Sequence, residues 1–167
     1  MSRHERPTLS EMFDLSWSDI IVVVTVMLAL ASWGLAQTTP TQAIKDKDGK
    51  ACAAAFDDAV RVNIRLELRK KLAPIVAAIR YAENGGKGRE YGILHPRVQP
   101  TYRSQAGWCA ATVQKTWDRW HKAGCPGKGF VEYLGNRYCP VGAENDPNGL
   151  NRHWIRNVRH FLKKLKP

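Results

Sequence analysis

The sequence predicts a mainly α-helical protein, and three observations carry that expectation. Apolar residues recur every three to four positions over most of the chain, the spacing of one helix face. Alternating apolar and polar runs are scarce, which leaves room for no more than a small hairpin. An uncharged stretch of 17 residues, Ile20 to Ala36, spans about 25 Å as a helix, the short end of what crosses a bilayer.

The elements follow in order. Residues 1–19 form a polar arm holding four acids. Residues 20–36 are expected to anchor the chain in a lipid bilayer, with Trp17 and Trp33 near the two interfaces. A cleaved signal, cut near Ala29-Leu30-Ala31, and a buried core helix are the other readings of this segment. Residues 37–50 are polar, contain a Pro and a Gly, and read as a linker, so the soluble domain is expected over 51–167. Val60, Ile64, Leu68 and Leu72 form one stripe, and Pro74 either kinks that helix or opens a new one. Leu72, Ile75, Val76, Ile79 and Glu83 share a face. Cys109, Val113, Trp117 and Trp120 mark a further helix. Phe130, Leu134 and Tyr138 mark a short one. Trp154, Val158, Phe161 and Leu165 mark a last helix whose other side is basic.

Charge narrows the partners. The chain carries +11 over 167 residues; residues 1–36 sum to −2, so the remainder holds +13. Such a surface suits an anionic polymer, an acidic membrane or nucleic acid. No nucleic-acid motif accompanies the basic, aromatic-interleaved C-terminal run, so nucleic acid is the less favoured partner. The four cysteines, Cys52, Cys109, Cys125 and Cys139, contain no C-x-x-C pair. A metal site, even one completed by His153 or His160, is therefore poorly supported, and no cofactor is expected. One or two disulfides and buried free thiols both remain open.

Glu83 is the residue with the most chemical content. It ends an apolar face, so its side chain should point toward the core edge. It also sits in the last turn before Gly85 and Gly86, facing the negative end of the helix dipole. Burial and dipole both favour the neutral acid, so its pKa should rise. A carboxylic acid that keeps its proton can donate it to a glycosidic oxygen. A solvated Glu paired with Arg80 or Arg89 is the plain alternative. Glu90 is the nearest second carboxylate, followed by Glu144 and Asp146 in a loop of turn-forming residues.

The order of short motifs resembles the lysozyme-like superfamily, in particular bacterial and phage glucosaminidases and lytic transglycosylases. The matching pieces are AENG (82–85), EYGIL (90–94) and FVEYLGNRYCPVGAENDPNGLNRHWIRNV (130–158), within residues 72 to 162. Asn84 stands where Ser is commoner, and the loop before the Tyr-Gly turn is short. The resemblance implies a lysozyme-like helical domain that cleaves peptidoglycan glycan strands, with Glu83 as catalytic acid; it aligns no second carboxylate, and Glu90, the nearest in sequence, is read as a supporting residue that Arg89 and Arg97 could equally pair with. It implies that the Tyr91-Gly92-Ile93 backbone walls the sugar cleft. Tyr91, Tyr102, Tyr138 and Trp154 are candidates for stacking on sugar faces, with Gln105, Asn145, Asp146 and Asn151 as polar contacts. A membrane-anchored lytic domain would suit a bacterial envelope protein, a phage lysis enzyme or a virion entry protein. A non-catalytic, basic, membrane-anchored binding protein is the alternative.

Overall fold

The structure, a computed structural model, describes residues 38–83, 85–127 and 129–165. The polar arm and the apolar segment 20–36 lie outside the described residues, as does Asn84. Among the described residues the fold is all helix, without the hairpin for which the sequence left room. Helix α1 spans Pro40–Asp48, α2 Lys50–Asn63, α3 Arg69–Ala82, α4 Tyr102–Lys122, α5 Phe130–Tyr138 and α6 Trp154–Leu165. Short 3-10 turns at Leu66–Leu68 and Leu150–His153 precede α3 and α6. No helix among the described residues is long and apolar enough to cross a membrane.

The linker expected over 37–50 is corrected: most of it is α1. The residues that suggest a linker are its caps. Thr39 Oγ1 accepts the Gln42 amide at 3.1 Å, Pro40 opens the first turn, and Gly49 ends it at φ +91°. Between them Ala43 and Ile44 are buried in the core. The Tyr81 hydroxyl donates to the Ala43 carbonyl at 2.8 Å. Asp48, the last residue of α1, accepts two hydrogen bonds from Arg80, Nε to Oδ2 at 2.9 Å and Nη2 to Oδ1 at 2.7 Å. Both side chains are only 10% exposed. Breaking one side of such a pair strands the other charge, so Asp48→Ala should cost about 3–5 kcal/mol. Urea unfolding of the purified protein reads this; a loss under 1 kcal/mol would place α1 outside the cooperative unit.

The Val60–Leu72 stripe is also not one helix. At Ile64 the chain becomes extended, φ −117° and ψ 128°. Arg69 reaches back to cap α2, donating from Nε to Ile64 O and from Nη2 to Arg61 O. Gln114 of α4 accepts the Arg65 amide. The stripe survives in space because all of its members turn inward, on three elements instead of one. Pro74 does not open a new helix; α3 begins at Arg69 and runs through it, with the ring buried.

The other helices form where the apolar stripes place them. α4 buries Cys109, Val113 and Trp117, α5 buries Phe130 and Leu134, and α6 buries Trp154, Val158 and Leu165. α3 is central: it packs on α1, α2, α4 and α6. Its Ile75 to Ile79 segment is almost fully buried. The C-terminal end of this most enclosed helix is where Glu83 emerges.

Candidate active site

Glu83 is the C-cap of α3. Its amide closes the last helical bond, to Ile79 O at 2.8 Å, and its own φ/ψ of −83°/127° turns the chain away. The Arg80 guanidinium, already fixed by Asp48, also donates to the Glu83 carbonyl at 3.2 Å. Arg80 thus holds the backbone of Glu83, and its side-chain partner is Asp48. The Glu83 carboxyl is left to other groups.

Two of them define its position. The Trp154 indole Nε1–H donates to Oε1 at 2.9 Å. On the other side lies Gly92, at φ +66°; a methyl placed on its Cα would come within 2.3 Å of Glu83 Oε2. Only a glycine allows this approach. The turn that carries Gly92 is held from beneath. Gln105, 1% exposed, accepts the Tyr91 and Ile93 amides at 3.4 and 3.3 Å and donates to Ile93 O at 2.9 Å. The Tyr138 hydroxyl donates to Tyr91 O at 2.6 Å, while its ring stacks on Trp154, 5.3 Å between centroids and 25° between planes. The acid and the turn are therefore braced by one continuous set of side chains from α3, α4, α5 and α6.

The Glu83 side chain opens into a cleft of about 330 Å³. Its polar wall is Glu83, Asn151, His153 and Asn157; Ala82, Cys139, Leu150 and Trp154 complete it. It is not the largest concavity. A groove of about 530 Å³ runs past Phe56, Val60 and Pro74, but its walls are apolar groups and surface charges without a half-buried acid.

Burial raises the Glu83 carboxyl above its ordinary value, and the Trp154 hydrogen bond and the Arg80 charge pull it partly back. The acid is thereby biased toward its protonated form while still holding a fixed donor. Burial pushes the Cys139 thiol up to about 12, with the Glu83 and Asp146 charges adding to the rise. Burial raises Cys109 and Tyr138 still more. These groups stay protonated near neutrality, which leaves no thiolate nucleophile beside the acid. All four cysteines are unpaired, and no cluster of metal-ligating side chains forms among the described residues.

The remaining sequence candidates divide by depth. Asn151 and Trp154 share the cleft with Glu83, and Gly92 touches its carboxylate. Tyr91 and Gln105 are buried beneath the turn and brace it; with 0% and 1% exposure neither ring nor amide can meet a sugar. Tyr102 lies behind Tyr91, their hydroxyls 3.1 Å apart, and donates to Asp48 at 3.2 Å. Tyr138 also faces inward, through its bond to Tyr91 O. Glu90 is 8% exposed and accepts the Gly88 amide at 2.8 Å, closing the turn instead of lining the cleft. Asp146 caps the 3-10 turn, accepting the Leu150 amide at 2.7 Å and the Asn151 amide at 3.3 Å. Asn145 is exposed and away from the cleft wall. Leu150, His153, Asn157 and Cys139 line the cleft without having been singled out for it. The available signal was helical spacing: Asn157 lies one turn beyond Trp154 on α6, and His153 immediately precedes it.

Trp154→Phe removes the indole donor and keeps an aromatic ring against Tyr138. The Glu83 pKa should then rise further, because the lost bond favoured the charged form. A carboxyl-carbon NMR titration of wild type and variant measures it; an unchanged or lowered value would mean that Trp154 does not set the protonation of Glu83.

No family model matches the sequence, and the comparisons with curated proteins and with solved structures found no match.

Proposed function

We propose that this chain cleaves the β-1,4-glycosidic bonds of peptidoglycan, with Glu83 as the general acid, on a lysozyme-like helical domain. One observation carries the reading. A carboxyl whose burial favours the protonated form stands at the wall of a cleft, held from two sides by Trp154 and Gly92. Proton donation to a glycosidic oxygen needs an acid of that kind at a fixed position. The rest of the wall suits a saccharide: exposed Leu150 offers apolar surface, and the Asn151 and Asn157 amides offer polar anchors. Asn151 is itself oriented, donating to Pro140 O at 2.8 Å and accepting from the Cys139 thiol at 2.8 Å.

In this reading the apolar segment 20–36 tethers the domain to a lipid bilayer facing the wall, whether of a bacterial envelope or a virion. The basic surface raises encounter with the anionic wall. Zymography on purified peptidoglycan, wild type against Glu83→Gln, is the test; clearing that survives the substitution would remove Glu83 from the mechanism.

A second reading has its own observation. Arg152, Arg156, Lys163 and Lys164 lie exposed on the outer side of α6 and the turn before it, while Arg159 pairs with Glu132. A non-catalytic anion-binding surface would use those cations alone. It predicts a salt-dependent shift of nucleic acid on a gel that is indifferent to Glu83.

A further inference from the structure

The cleft around Glu83 lacks a second carboxylate among its described lining residues. Glu90 lies beneath the turn, where its Oε1 accepts the Gly88 amide, and does not line the cleft; Asp146 caps the 3-10 turn, and Glu144 is exposed outside the wall. The other titratable groups in the wall are the Cys139 thiol and the His153 imidazole. Burial holds Cys139 in its protonated form, and its Sγ–H is engaged with Asn151. That leaves one side chain able to accept a proton near neutral pH.

We propose that His153, which lines the same cleft as Glu83, is the general base of the reaction; this rests on the glycosidase reading above. Arg152 Nε donates to His153 Nε2 at 3.3 Å. In that contact Nε2 is the acceptor, so its lone pair is the one that would take a proton. Arg152 beside it and Arg156 on the next turn are exposed cations, and the Glu83 carboxyl enters the same cleft from the end of α3. An attacking hydroxyl takes the place of the Arg152 donor on the Nε2 lone pair. The Arg152 side chain, being exposed, is free to swing away.

The step balances as follows. Glu83 gives its proton to the glycosidic oxygen as the C1–O bond breaks. The attacking oxygen forms a new bond to C1, and its proton passes to His153 Nε2. Solvent exchange then returns a proton to Glu83 and takes one from His153. The attacking hydroxyl comes from water or from the substrate's own sugar. Water leaves a reducing end, and a sugar hydroxyl leaves an anhydro ring.

The test is the pH–rate profile of the full chain on peptidoglycan, for wild type and His153→Gln. With both groups at work the wild-type rate falls on the acid side, where the imidazole is protonated, and on the alkaline side, where Glu83 is ionised. His153→Gln should lower kcat by about 10²–10⁴-fold and abolish the acid-side fall, since protonation of the base no longer matters. Azide, a nucleophile that carries no proton to remove, should restore turnover in His153→Gln and yield a glycosyl azide. A wild-type profile without an acid limb overturns the proposal, and that measurement does not depend on the variant's folding. So does a variant that keeps the limb and ignores azide. If the wall is cleared in a Glu83-dependent way in either of those cases, only the role of His153 fails. If wild type clears nothing, the Glu83 reading fails with it.

Discussion

Glu83→Gln is expected to abolish clearing of peptidoglycan, lowering the rate by about 10²–10⁴-fold, and to make the folded protein more stable at neutral pH. The first effect follows from the lost proton. An amide matches the carboxyl in size and can still accept the Trp154 N–H at Oε1, so the cleft keeps its shape while losing its acid. The second follows from linkage. Burial raises the carboxyl pKa in the folded state above its unfolded value. Between those two values the native state binds more protons than the unfolded state, so stability falls as pH rises through the window. Above it, wild type carries the whole cost of an ionised, half-buried carboxyl, and the amide never does. Thermal melts at pH 7 should place the variant above wild type by about 0.5–2 kcal/mol, the usual gain on relieving a site kept for function. At pH 4 the two should converge. A variant less stable at pH 7 would mean that the ionised carboxyl is welcome where it sits, as in a structural ion pair, and the general-acid reading would fall with that result.

The part of the fold that was legible in the sequence is the part governed by one uninterrupted periodicity. α4, α5 and α6 each bury a single stripe within a single helix. Where the period crosses a backbone break it misleads. Val60, Ile64, Leu68 and Leu72 keep their spacing of four although the chain extends at Ile64, because the 3-10 turn that follows returns the next residues to the same core. α1 was hidden for the opposite reason. Thr39, Pro40 and Gly49 are turn formers whether they link or cap, and Ala43 and Ile44 alone make too short a stripe to decide. At the site, Glu83 was legible because its own helix aims it. The depth of Tyr91, Gln105 and Glu90 was not, because it is set by which way the 88–93 turn folds over α4. Residue type says that an amide or a phenol wants partners; it does not say whether they are backbone groups of a turn or a ligand. His153 was hidden likewise: a lone imidazole gains meaning only when the chain return after α5 sets it in the wall beside Glu83.

Gly92→Ala is the sharpest probe of how the 88–93 turn sits on Glu83. The Cα of Gly92 lies so close to Glu83 that an added methyl would sit 2.3 Å from Oε2 and 2.7 Å from Cδ. The backbone there also has φ +66°, a conformation that costs an L-residue about 1–2 kcal/mol. Overpacking against a carboxyl already fixed by Trp154 adds about 1–3 kcal/mol. The substitution should therefore destabilise the fold by about 2–5 kcal/mol. It should also lower activity by 10²-fold or more, since a displacement of about 1 Å at a catalytic group suffices for that. A double-mutant cycle separates the two costs. In a Glu83→Ala background the three nearest atoms that the methyl would meet, all of the carboxyl, are gone, so Gly92→Ala should cost less, near the backbone share of about 1–2 kcal/mol. Urea unfolding of the four proteins measures the coupling. If the cost of Gly92→Ala were the same with and without the Glu83 carboxyl, the turn would not be seated on the acid. The two halves of the site, the end of α3 and the Tyr91-Gly92-Ile93 turn, would then be neighbours without being partners.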